Sequence, residues 1–326
     1  MLRALRVKRS QGHQTIVDLR QARPRGFVGK PELVLGACDA GCAACAEACP
    51  TEAITPEPLA IDLGRCIFCT ECVAACPTQR IRFTSAPQMA SSSRDGLVVR
   101  VGDAAPPPVE VSASIRRMFG RSLKLRQVSA GGCNACELEL NAAANVNFDF
   151  GRYGIDWVAS PRHADALVLS GPLTANMADA VELAYAAMPE PKLVISFGAC
   201  AISGGLYEAS GAIDRRFLGA LAPALYVPGC PPHPLTFVVG LLDLLGIGVA
   251  PSGAEPPAPI QGDTRSVGPS GYDPATLAQG HATADRLSRA VGADLRGASA
   301  TSSASRTTSP EPKRRLKLLG ESSEPK

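Results

Sequence analysis

The stretch Leu123–Val146, LKLRQVSAGGCNACELELNAAANV, decides the fold of the larger part of the chain. It reads as a β-rich run at 123–128, a glycine-rich loop carrying Cys133 and Cys136, and a helical segment from Glu137. The same alternation continues downstream: IDWVA (155–159), DALVLSG (165–171) then ANMADAVELAYAAM (175–188), KLVISFG (192–198), ALYVPG (224–229), then PLTFVVGLLDLLG (234–246). Strands alternating with helices make βαβ units and a mostly parallel sheet. Cys200 follows the strand at 192–197, and Cys230 the strand at 223–227. In a parallel sheet these loops open at one carboxyl edge, where open α/β sheets place their sites. Four thiols scattered over about a hundred residues can meet there. The plainer reading is that they are buried structural cysteines. Against it, each lies in a glycine-rich loop and none inside an apolar run.

Towards the N-terminus lie two denser runs, CDAGCAACAEACP (38–50) and CIFCTECVAACP (66–77). A 4Fe-4S cubane needs four thiolates, and a tight loop with three closely spaced cysteines wraps one corner of it. The fourth comes from elsewhere. In the bacterial ferredoxin pattern the last cysteine of each run serves the other cluster. That predicts Cys38, Cys42, Cys45 and Cys76 on cluster 1, and Cys66, Cys69, Cys72 and Cys49 on cluster 2. Pro50 and Pro77 turn the chain where each distant ligand is released. The first run has one extra residue between its first two cysteines, so the loop at 39–41 must bulge at Gly41. Zinc favours paired cysteines, often with histidine, and no histidine lies between Gly36 and Thr84. Disulfides would conflict with a reducing compartment. The region resembles the dicluster ferredoxin family, including TEAIT and TQRIRF, which look like the strands flanking each loop.

The rest of the chain bounds the answer. Its 326 residues suit two domains plus tails, and a net charge of +3 is too small to imply nucleic acid. No apolar run reaches the roughly 20 residues that span a bilayer. The N-terminus lacks the apolar stretch of a secretory signal, so a cytoplasmic chain is expected. Residues 1–35 form a basic arm, with eight basic residues against two acidic, a balance of +6. It reads as a solvated extension or strap, or as a docking arm for a partner or an anionic membrane. The expected organisation is this arm, a ferredoxin-like domain at 36–84, a linker at 85–114 with a short strand near 97–101, an α/β domain at 115–250, and a low-complexity, disordered tail at 251–326.

In the second domain GGCNACELEL, SPRHADALVLSGP, ISFGACAISGG and YVPGCPPHP look like the small-subunit family shared by energy-converting, hydrogenlyase-type NiFe hydrogenases and the 20 kDa subunit of respiratory complex I. The resemblance implies a flavodoxin-like fold and one 4Fe-4S cluster on Cys133, Cys136, Cys200 and Cys230, buried against a large subunit. With the first domain the expected fold is α+β ferredoxin followed by α/β flavodoxin-like, with three 4Fe-4S clusters in all. Complex I subunits carry tandem cysteines at the first ligand pair. The spaced pair Cys133-Asn134-Ala135-Cys136 is similar to hydrogenase small subunits. Glu137 matches the family's acidic residue, with two readings: proton movement near the cluster, or a complement to the N-terminus of the next helix. His233 stands where relatives often have Arg, and Leu235 where complex I relatives have a carboxylate. His163 reads as a structural histidine. No G-x-S-x-G or P-loop motif is present.

The expected function is electron relay to or from a large-subunit active site in a membrane-associated hydrogenase-like complex. The chain would sit peripherally on the cytoplasmic face through membrane partner subunits, and a separate redox protein could serve it as donor or acceptor. A quinone-reducing, complex I-like assembly and a free-standing electron carrier or redox sensor are the alternatives.

Overall fold

The computed structural model describes residues 2–248, except 13, 37, 104–108, 110–112 and 121. The stretch read as a tail, 251–326, lies outside the described residues. After helix α1 (Leu2–Gln11), short elements frame the two cysteine runs: β1 (Pro31–Leu33), α2 (Ala44–Glu47), β2 (Ile54–Pro56), β3 (Leu59–Asp62), α3 (Glu71–Ala75), β4 (Ile81–Phe83) and β5 (Val98–Arg100). The layout repeats. Each run gives a loop, a one-turn helix bearing its third cysteine, a Cys-Pro turn and a strand. β1 and β4 pair antiparallel, with Leu33 opposite Ile81. β2, β3 and β5 form a second antiparallel sheet in that order. Leu33, Ile54, Ile61, Leu63, Ile81 and Leu97 are buried in the core between these elements.

The α/β part follows with α4 (Ala113–Phe119), β6 (Leu123–Ser129), α5 (Ala135–Ala142), β7 (Ile155–Trp157), β8 (Ala166–Ser170), α6 (Ala175–Ala186), β9 (Leu193–Phe197), α7 (Ala199–Ser203), α8 (Arg216–Ala220), β10 (Leu225–Val227) and α9 (Pro234–Leu244). Every sheet pairing is parallel and the order is β10-β9-β8-β6-β7. Counted from β6 this is the 2-1-3-4-5 order of flavodoxin-like sheets. Side chains alternate across a strand, and both faces here are covered. On β8, Ala166 and Val168 pack into the core that holds α9 and Leu140 of α5. Leu167 and Leu169 point the other way, into a core with Val181 of α6 and Phe217 of α8.

The Ser-, Pro- and Gly-rich stretch read as linker is packed where it is described. β5 completes the β2-β3 sheet through Val98–Arg100, because Leu97 and Val99 bury their side chains in that core. Just upstream, Ser91 and Tyr226 exchange two backbone hydrogen bonds (3.1 and 2.8 Å), so the connector covers the outer edge of β10. Met89 is 2% exposed. Part of the basic arm also acts as a strap. Leu19 is buried in the α/β core, Arg20 pairs with Asp243 of α9 at 2.6 Å, and Gly29 donates to Thr84 O at 2.7 Å in the cysteine-rich part.

Candidate iron-sulfur centres

The third predicted set is assembled at the carboxyl edge of the parallel sheet. Cys133 and Cys136 follow β6, Cys200 sits in α7 directly after β9, and Cys230 follows β10. Asn134 holds a left-handed backbone (φ 70°), which starts α5 between the two cysteines; asparagine tolerates that region better than most residues. Thr70, in the same place of the Cys69–Cys72 pair, has φ 66°, so the two Cys-x2-Cys turns match. Gly198 (φ 92°) lies at the end of β9, where an added Cβ would stand 3.0 Å from Cys136 Sγ. Only glycine lets the β9 loop approach that thiol. Arg215 closes the far side, donating to the carbonyls of Cys200 (3.1 Å), Ala201 (2.9 Å) and Ile202 (2.8 Å) at the end of α7. Its charge favours the Cys200 thiolate.

The first two sets are related by the repeat. In the Cys-Pro-Thr-x-x turn of each run, a backbone N–H four residues on donates to the cysteine: Ala53 to Cys49 at 3.3 Å and Arg80 to Cys76 at 3.4 Å. Thr51 and Thr78 hydroxyls lie 3.8 and 3.7 Å from the same two sulfurs. Phe68 N–H donates to Cys66 Sγ at 3.3 Å. Arg80 adds a bond of its own, from Nη1 to Cys38 Sγ at 3.1 Å. The extra residue of the first run is absorbed by a turn in which Cys42 N–H donates to Asp39 O at 3.0 Å and Gly41 takes φ 75°.

The thiols fit what an iron-sulfur cluster requires. All twelve cysteines are free of disulfides. Burial, together with repulsion from neighbours that include Cys69 and Cys49, pushes Cys66 and Cys72 up to about 12. Burial raises Cys45 too, with added repulsion from Cys76 and Cys38. At the sheet edge, burial and then Cys230 and Cys133 push Cys200 up to about 11. Cys136 is raised by burial, by Glu137 and by the other three thiols of its set. For Cys76 the hydrogen bonds from Arg80 and Thr78 outweigh burial and bring the thiol below its usual value. Repulsion thus links Cys45 with Cys76 and Cys38, Cys66 with Cys72, Cys49 and Cys69, and Cys136 with Cys133, Cys200 and Cys230, while Cys72 also feels Cys45 across the repeat. Iron bound by these residues would reverse the repulsion and hold the thiols deprotonated. Among the described residues no three His, Cys, Asp or Glu side chains converge as a site for a single metal ion. A cubane takes one thiolate per iron and does not require that convergence.

Glu137 is in the first turn of α5. Its Oε1 accepts from Ser170 Oγ at 2.7 Å, whereas Oε2 is buried without a partner. Burial favours the neutral acid, but hydrogen bonds from Ser129 and Ser170 outweigh it and hold Glu137 below its usual range. His233 caps α9, its Nδ1 accepting from Leu235 N–H at 3.1 Å, with its ring between Phe27 (4.7 Å) and Phe148 (5.6 Å). Burial lowers its pKa. His163, read as a structural histidine, lies in a short turn in which its N–H donates to Ser160 O at 3.1 Å. Its side chain is exposed. A cavity of about 390 Å³ separates the Cys66–Cys69 loop from the Cys230 loop, lined by Phe27, Ile67, Phe68, Met89 and His233.

Comparison with known proteins agrees with this geometry. Residues 133–244, from the first sheet-edge cysteine to the end of α9, match the family described as NADH ubiquinone oxidoreductase, 20 Kd subunit. Residues 59–79 match the 4Fe-4S binding domain. Over 130 residues the chain is 36% identical to the probable membrane-bound hydrogenase subunit mbhJ of Pyrococcus furiosus, covering 40% of this chain and 78% of that protein. The chain belongs to the 20 kDa subunit family. Formate hydrogenlyase subunit 7 of Escherichia coli is 39% identical over 142 residues, 42% of this chain and 54% of that one. A NADH-quinone oxidoreductase subunit of Citrifermentans bemidjiense is 39% identical over 113 residues, 35% of this chain and 66% of that one. The 20 kDa subunit match thus takes in Cys133, Cys136, Cys200 and Cys230. Among the described residues of this family member, no helix is long and apolar enough to cross a membrane. Arg80 and Arg215 had no signal in local spacing, since each acts on a group distant in sequence or on carbonyls.

Proposed function

We propose that this chain is the electron-transfer subunit of a membrane-associated, hydrogenlyase-type NiFe-hydrogenase-like oxidoreductase. It would hold three 4Fe-4S clusters: on Cys38, Cys42, Cys45 and Cys76; on Cys66, Cys69, Cys72 and Cys49; and on Cys133, Cys136, Cys200 and Cys230. When bound, such clusters supply one-electron carriers whose potentials follow hydrogen bonding and burial. The observation that carries the reading is the gathering of four cysteines from three strand ends at one sheet edge, beside two repeated cysteine runs in the same compact body. The chain orders these sets. Arg65, next to Cys66, pairs with Glu208 in the loop after α7, and Ile202 of α7 packs into the cysteine-rich core. These contacts support an order in which the Cys66 set would lie between the Cys38 set and the sheet-edge set.

A ferredoxin-like module at 36–84 and an α/β module at 115–250 fused in one chain would keep the carriers at fixed separation, with the strap and Ser91 locking them. The partners would be a large subunit carrying the active site and membrane subunits that hold the chain at the cytoplasmic face. Glu137 is the residue through which the sheet-edge centre could exchange protons with that site. The spaced pair Cys133 and Cys136 favours the hydrogenase branch over the quinone-reducing one. To test the branch, the native assembly purified without oxygen is assayed for hydrogen-dependent reduction of a viologen dye, for quinone reduction and for nickel. Dye reduction with nickel present is expected. Quinone reduction without either would move the chain to the complex I-like branch, and a monomer without a large subunit would make it a free-standing carrier.

A further inference from the structure

The two cysteine runs repeat one another closely, and Arg80 breaks the repeat. At the equivalent positions, Ala53 and Arg80 each donate a backbone N–H to a cysteine. Ala53 ends in a methyl group. The Arg80 side chain, 9% exposed, continues across the fold, donating Nε to Val34 O at 3.1 Å and Nη1 to Cys38 Sγ at 3.1 Å. Val34 N–H returns a bond to Arg80 O at 2.8 Å, which fixes the residue from both ends. One residue thus reaches two cysteines, 76 and 38, of the same proposed set, and among the described residues no side-chain cation is seen hydrogen-bonded to a cysteine of the Cys66 set. The nearest cation to that set along the chain, Arg65, is engaged with Glu208.

We infer that Arg80 is a tuning residue that makes the cluster on Cys38, Cys42, Cys45 and Cys76 the more readily reduced of the ferredoxin-type pair. The inference rests on the cluster assignment proposed above. An added electron increases the negative charge spread onto the ligand sulfurs. A buried guanidinium hydrogen-bonded to one of them favours that reduced form over the oxidised one. A charge-assisted bond of this kind is worth about a tenfold change in the ratio of reduced to oxidised cluster, or about 59 mV for one electron.

The test is a potentiometric titration followed by electron paramagnetic resonance on the full chain in its native assembly, with Arg80→Gln and Arg80→Lys. Cys69→Ser assigns the signal of the other set. At fixed potential, Arg80→Gln should lower the reduced fraction of the Cys38 set about tenfold in ratio. Arg80→Lys should lower it less, because it keeps the charge and loses the planar fork. The signal assigned to the Cys66 set should stay where it was. Unchanged potentials, equal shifts in both signals, or loss of the Cys38-set signal from both variants would overturn the role. A wild-type chain with fewer than two ferredoxin-type signals would instead refute the cluster assignment itself, before any variant is read.

Discussion

At Gly198 the loop after β9 passes so close to Cys136 that a methyl group would stand 3.0 Å from its sulfur, on a backbone with φ 92°. Gly198→Ala should therefore cost about 1–3 kcal/mol in backbone strain, and displace one ligand of the sheet-edge set. The expected result is loss of a single cluster signal with the ferredoxin-type pair intact. Cys230→Ser should give the same selective loss, and disappearance of every signal would contradict independent sites. Glu137 offers a different kind of test. Gln keeps the hydrogen bond to Ser170 and removes the carboxylate, so Glu137→Gln should leave iron content and the number of resonance signals unchanged. If the residue moves protons, turnover of the assembly should fall by on the order of 100-fold. Unchanged turnover would leave Glu137 only its place in the first turn of α5.

Among the elements, α9 shows how a local cap and a site share one residue. His233 ends the Cys230 loop and begins the helix, its ring accepting the Leu235 N–H while Phe27 and Phe148 flank it. His233→Ala should lower stability by about 1 kcal/mol more than His233→Asn, which retains a capping acceptor; denaturant midpoints of the two variants measure the difference. This is also the scale at which the sequence was most informative. The short continuous apolar run in DALVLSG and the longer helical run ANMADAVELAYAAM correspond closely to β8 and α6, because run length and residue type are local signals. β5 was seen as a short strand inside a linker. That it completes the β2-β3 sheet depends on Val99 meeting Ile61, a pairing that no local pattern encodes.

Across the whole molecule, the long-range contacts were the part that sequence could not supply. Ser91 against Tyr226, Arg20 against Asp243 and Arg80 against Cys38 join residues far apart in the chain, and each depends on the completed fold. The cysteine runs were readable because their ligands lie within a few residues of one another. The sheet-edge set was readable only through strand order, with Cys133 and Cys230 nearly a hundred positions apart. One property of the assembled molecule follows from its crowded thiols. In the cluster-free chain, Cys200 at about 11 and Cys66 and Cys72 at about 12 hold protons above the usual 9.0. A group raised by folding contributes its stability below the unfolded value and loses it as pH climbs through the folded one. The cluster-free chain should therefore weaken from about pH 9 towards pH 12, whereas the loaded chain, its thiols already deprotonated, should lack that decline. Unfolding followed across this range in both forms checks the difference. The most direct test of the three-cluster account is the iron and acid-labile sulfide content per chain, measured on protein purified without oxygen. Three cubanes predict about 12 of each, while about 8, or zinc in place of iron, would contradict the account.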